Sequence, residues 1–93
     1  MNFDDLDELK DRLRQIAIDF VSMGPGYAQE GVVLRKARSD FRPQTLAHEQ
    51  MILEAWQMLF IDGELAWGYN LDNPGMPFFH SMAHQAATAA GAR

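Results

Sequence analysis

Cysteine is absent from this 93-residue chain. Its absence excludes disulfide bonds, thiolate metal sites, iron–sulfur clusters and a cysteine nucleophile. Long apolar runs are missing as well: no unbroken apolar stretch exceeds four residues, whereas a membrane span needs about 20. The first residues are acidic, where a signal or transit peptide would be basic. We therefore expect a soluble, cytoplasmic protein with no membrane partner.

Basic residues are scarce and unevenly placed. Eight Lys and Arg stand against thirteen Asp and Glu, which gives a net charge of −5. Residues 45–93 contain one basic and five acidic residues. A strongly acidic chain repels phosphate at long range, so a general affinity for nucleic acid is disfavoured. The exception is a basic island within residues 31–44, which contains Arg35, Lys36, Arg38 and Arg42.

The length of the chain fits one small domain. Its apolar content of 47% is typical of a globular protein rather than a disordered one. We assign residues 1–93 to a single domain, with its core over about 4–80. The Ala-rich tail at 82–93 is expected either to pack as a fourth helix or to fray.

Apolar spacing predicts three helices separated by Gly- and Pro-containing turns. The predicted ranges are 4–22, 33–41 and 45–61, with a short extended segment at 30–32. The third helix has apolar residues on more than one side, which predicts that it is the centre of the domain. The predicted caps are Asn2, Thr45 and Gly63. The side chains expected to be buried together are Phe20, Phe41, Ile52, Trp56 and Leu59.

A β-hairpin should follow the third helix. Leu65, Trp67 and Tyr69 alternate with small residues, as in a half-buried strand. Residues 73–76 match a type II turn, and residues 78–80 are the expected return strand.

Two segments carry a resemblance to a known fold. Residues 56–68 (WQMLFIDGELAWG) resemble the end of helix three and the first wing strand of a winged helix-turn-helix domain, and residues 73–80 (NPGMPFFH) resemble its return strand. The chain is similar to small winged-helix modules of uncharacterised bacterial proteins, some of them linked to phage defence. The resemblance implies a mainly α, α+β fold: a three-helix core, a two-stranded wing and a C-terminal tail helix.

Motifs for catalysis are lacking. His48-Glu49 is not a zinc-protease motif, because Ile52 stands where the second histidine is needed. His80 and His84 have no nearby carboxylate to complete a metal site. The sequence contains neither a nucleophile elbow nor a phosphate loop. We expect a non-enzymatic protein without metal or cofactor.

A nucleic-acid function is the leading hypothesis, because regulatory DNA binding is the commonest use of the implied fold. The basic island could hold phosphates of double-stranded DNA, and the start of the third helix could reach base edges. The candidate base-contacting residues are Gln44, Thr45 and His48. Against this hypothesis, neither the third helix nor the wing contains Lys or Arg. Without DNA contact, the basic island would be a solvated face that pairs with the acidic first helix.

Protein interaction, including homodimerisation, is the alternative. Four aromatic residues crowd the predicted hairpin, and a two-stranded sheet cannot hide all of them on one face. Those residues are Trp67, Tyr69, Phe78 and Phe79. They form either an exposed edge that binds a second copy or another protein, or a tight core under the wing.

Overall fold

The computed structural model describes residues 1–24, 27–68 and 78–81, excluding the side chains of Phe78 and Ser81. The predicted turn at 73–76, the tail at 82–93, Tyr69 and His84 lie outside the described residues. In chain order the elements are α1 (Leu6–Met23), β1 (Ala28–Gln29), α2 (Glu30–Phe41), α3 (Leu46–Ile61), β2 (Leu65–Gly68) and β3 (Phe78–Ser81). The described chain is therefore mainly helical with a small sheet, and the α+β class is confirmed.

Helix α1 begins later than predicted. Its N-cap is Asp5, whose carboxylate accepts a hydrogen bond from the Glu8 N–H at 3.1 Å. Asn2 is not the helix cap: its side chain accepts from the Asp4 N–H at 3.0 Å and closes a turn before the helix. The buried face consists of Leu9, Leu13, Ala17 and Val21. Phe20, predicted to be buried with Trp56, is only partly buried at the edge of the core, because the side of α1 that faces the core runs through Ala17 and Val21.

Helix α2 begins at Glu30, three residues earlier than predicted, and the preceding extended segment is Ala28–Gln29 rather than 30–32. A tertiary contact accompanies this early start, because the indole Nε1 of Trp56 donates a hydrogen bond to Glu30 Oε1 at 3.0 Å. The helix ends at Phe41, and its C-cap Arg42 has a left-handed backbone with φ of 52°.

Both predicted caps of α3 are confirmed. Thr45 is the N-cap, and its hydroxyl accepts from the His48 N–H at 3.1 Å. Gly63 follows the C-terminus of α3 and has a φ of +78°. Glycine adopts this conformation at little cost, because it has no side chain. The Glu64 N–H donates to the Leu59 carbonyl at 2.9 Å, which completes a Schellman-type ending.

The sheet has three antiparallel strands in the order β1-β3-β2. Strand β3 is central: Phe79 pairs with Ala28 on one side and with Trp67 on the other. Strand β1 lies between α1 and α2 in the chain, and its pairing with β3 joins this segment to the hairpin.

The core lies between the three helices and the sheet. Helix α1, rather than α3 as predicted, is the element that packs against the most others, since it contacts α2, α3, β1 and β3. Trp56 is 1% exposed, and its ring meets that of Phe79 edge to face at 5.1 Å. The predicted burial of Ile52, Trp56 and Leu59 is confirmed, and Phe41 is buried with them. Within the described residues, no helix combines the length and apolarity that crossing a bilayer requires.

Candidate docking surface on helix α3

The solvent side of α3 carries a stripe of uncharged residues, here named the α3 face. Its members recur at intervals of three or four residues, so they line one side of the helix. They are Leu46, Gln50, Leu53, Gln57 and Ile61. Leu46 is 70% exposed, Leu53 47% and Ile61 73%. Large aliphatic side chains this exposed, in a row on one helix, indicate a surface that binds another molecule.

A groove of about 390 Å³ runs along one edge of the α3 face, between α2 and α3. Leu34 of α2 and Ile52 of α3 contribute apolar surface beside Leu46 and Leu53. At its rim, the guanidinium of Arg38 lies 2.6 Å from Glu49. The groove extends the apolar surface from α3 onto α2 and keeps a neutral ion pair at its border.

The three predicted base-contacting residues are occupied in holding the start of α3. The Thr45 hydroxyl caps the helix, as described above. The Nδ1 atom of His48 accepts from the Gln44 N–H at 3.0 Å, and its ring stacks on Phe3 with centroids 4.1 Å apart. The Gln44 side-chain amide donates to the Arg42 carbonyl at 2.9 Å. These side chains would have to break existing contacts before reading a base edge.

The basic island is partly neutralised by carboxylates. Lys36 pairs with Asp40 at 3.0 Å, one helical turn away, and Arg38 pairs with Glu49. Arg35 and Arg42 are exposed, and neither has an ion pair within the described residues. All four basic residues are therefore exposed, but within the described residues only Arg35 and Arg42 carry a charge that no carboxylate neutralises.

The aromatic residues of the hairpin do not form one exposed edge. Phe79 is fully buried, which corrects its assignment to an interaction surface: as the central-strand residue it packs inward on Trp56. Trp67 is 42% exposed, and its ring stacks on Phe60 with centroids 4.1 Å apart. Tyr69 and the side chain of Phe78 lie outside the described residues. Of the four hairpin aromatics, Trp67 is the one whose side chain the structure describes as exposed.

Charged residues of α1 are tied to the corner that follows α3. Arg14 Nε donates to Glu64 Oε1 at 2.7 Å, and a second guanidinium nitrogen donates to Oε2 at 2.9 Å. The hydrogen bonds that Arg14 donates to Glu64 and Asp11 raise the pKa of its guanidinium. The adjacent Lys10 pairs with Asp62, and this hydrogen bond raises the pKa of its ammonium group. These cations are therefore engaged by the protein itself.

Comparison of the chain with protein-family models, with curated proteins and with solved structures finds no match in any of the three. In the part of the chain that the structure describes, no three His, Asp or Glu side chains come together as metal ligands. The α3 face is the feature that sequence reasoning missed. The signal for it in the sequence was that α3 has apolar residues on more than one side.

Proposed function

We propose that this chain is a non-catalytic winged-helix module that binds protein through the α3 face. The order helix, strand, helix, helix, strand, strand and the three-stranded antiparallel sheet support the winged-helix assignment. The observation that carries the function is the composition of the α3 face: three exposed aliphatic residues, two glutamines and no cation.

Helix α3 occupies the position of the helix that enters the major groove in a helix-turn-helix domain. Such a helix needs polar side chains at base edges and is supported by cations at phosphates. Leu46, Leu53 and Ile61 offer neither, and a duplex would leave these side chains facing charged phosphates and water. A protein surface with apolar contacts and a few hydrogen-bonding groups suits them instead.

The charge distribution supports the same choice. Salt dependence measures how many phosphates a protein neutralises, with a log–log slope of about −0.9 for each. Arg35 and Arg42 are the uncompensated cations of the basic island, so binding through them would give a slope of only about −2. The repulsion between a duplex and a chain of net charge −5 opposes these two contacts.

Site-specific photo-crosslinking tests the proposed function. A benzophenone amino acid replaces Gln57 on the α3 face in cells that produce the chain, and in a control it replaces Gln15, an exposed glutamine of α1. We expect a protein adduct from position 57 and none from position 15, because only the first lies on the proposed surface. Loss of the adduct when Leu53→Glu is added identifies the α3 face as the site. Equal adducts from both positions would contradict the proposal.

A DNA titration tests the competing function on the same protein. Fluorescence anisotropy of a labelled random duplex is followed at low and at physiological salt. We expect no binding tighter than about 100 μM at physiological salt, the weak end of non-specific affinity. Tighter binding that disappears in Arg35→Ala/Arg42→Ala, at an unchanged melting temperature, would assign the chain to DNA.

A further inference from the structure

The α3 face reads the same in both directions. Its order is aliphatic, glutamine, aliphatic, glutamine, aliphatic, from Leu46 to Ile61. In an antiparallel pair of α3 helices with the two-fold axis between positions 53 and 54, Leu46 lies opposite Ile61 of the second copy, and Gln50 lies opposite Gln57. A two-fold interface requires this self-complementarity, in which residue i meets j and j meets i.

We infer, resting on the proposed function, that the protein bound at the α3 face is a second copy of this chain, with the two α3 helices packed antiparallel about that axis. Aliphatic residues then meet aliphatic residues at both ends and at the centre, where Leu53 meets its counterpart. Gln50 and Gln57 satisfy each other, because an amide side chain carries both donor and acceptor groups.

Two acidic residues border the face, and they differ in their effect on this arrangement. Glu49 is held by Arg38 at the groove rim, so it needs no partner from the second copy. Glu54 is exposed beside the axis, at the border of the face, and its counterpart lies next to it. This like-charge contact, together with a charge of −5 on each chain, opposes association and is weakened by salt.

The size of the face sets the expected affinity. From position 46 to 61 the helix rises about 22 Å, and a helix is about 10–12 Å across. A strip of this size falls below the roughly 800 Å² per partner of a standard interface, so the dimer belongs to the weak class. We expect a dissociation constant of about 10–100 μM.

Molar mass measured over a range of concentrations tests the dimer. Sedimentation equilibrium of the 10.5 kDa chain from about 1 μM to 1 mM should show a monomer–dimer transition. Leu53→Glu enters the interface twice and should weaken association at least about hundredfold. Met23→Glu is the matched control, because Met23 is 75% exposed at the far end of α1, and should leave association unchanged. Added salt should strengthen the wild-type dimer.

Disulfide trapping tests the antiparallel geometry, and the cysteine-free chain makes each new thiol unique. With helix axes 8–10 Å apart, the two Glu54 Cα atoms lie about 6–7 Å apart, within disulfide reach. The two Gln57 Cα atoms are offset by about 10 Å along the helices, which is beyond it. Under mild oxidation, Glu54→Cys should form covalent dimers at least about tenfold faster than Gln57→Cys, although both lie on the solvent side of α3.

The outcomes separate the inference from the proposed function. A chain that stays monomeric at 1 mM overturns the dimer, and so does equal trapping of Glu54→Cys and Gln57→Cys. If position 57 still crosslinks to a different protein, the α3 face remains a docking surface and only its occupant changes. If the chain is monomeric and binds DNA through Arg35 and Arg42, both proposals fail.

Discussion

The hydrogen bond between Trp56 and Glu30 provides a quantitative test of how α2 is joined to α3. Trp56 is 1% exposed, and its indole Nε1 donates a hydrogen bond to Glu30 Oε1 at 3.0 Å. Glu30→Ala leaves a buried donor unpaired, which costs about 1–3 kcal/mol. It also removes a carboxylate from the first turn of α2, worth about 0.3–1 kcal/mol. We therefore expect unfolding to require about 2–3 kcal/mol less, and Glu30→Gln, which keeps an acceptor, to lose about 1 kcal/mol.

A double-mutant cycle isolates the hydrogen bond itself. Trp56→Phe removes the donor while keeping an aromatic ring, so Glu30→Ala in that background should cost only its share of the helix-dipole interaction. Urea denaturation followed by circular dichroism at 222 nm measures all four proteins without relying on tryptophan fluorescence. The expected coupling energy is about 1.5–2 kcal/mol. A coupling below about 0.5 kcal/mol, with both single variants stably folded, would refute the assigned contact.

Two further predictions concern Gly63 and Glu64, which follow the end of α3. Gly63→Ala should lower stability by about 1–2 kcal/mol, because the backbone of Gly63 has a φ of +78°. Gly31→Ala, within α2 and with open space around it, should raise stability by about 0.4–1 kcal/mol. Thermal melts compare the two variants, and a change in melting temperature of the same sign in both would contradict the reasoning. Arg14→Met should lower stability by no more than about 1 kcal/mol, because the Glu64 contact is one-third exposed, and a urea titration in 1 M NaCl should find a smaller loss.

Features fixed by neighbouring residues could be predicted from the sequence. Thr45 caps α3 and Gly63 ends it because each acts on backbone groups within five residues. The predicted start of α1 was wrong for a local reason as well. Asn2 and Asp5 can both cap a helix, and the sequence does not show which of the two turns continues into the helix. The early start of α2 at Glu30 could not be read locally, because Glu30 contacts Trp56, 26 residues away.

The candidate site was less predictable, because it depends on what covers each helix. The basic island was expected as one positive stripe, but Glu49 comes from another helix and cancels Arg38. Leu46 and Ile61 are exposed because α1, α2 and the sheet do not cover their side of α3. No spacing within α3 reveals that, since apolar residues occur on every side of it.

Added salt should change the affinities of the two proposed kinds of binding in opposite directions. DNA binding through Arg35 and Arg42 releases counterions, so salt weakens it. Pairing of two α3 faces buries an uncharged strip between chains that each carry −5, so salt screens their repulsion and strengthens it. The inward side of α3 contributes Trp56 to the core, and a partner on its outward side would cover Leu53 and its neighbours without requiring a cation on α3, which has none. Helix α3 can therefore contribute to the core on one side and form a docking surface on the other.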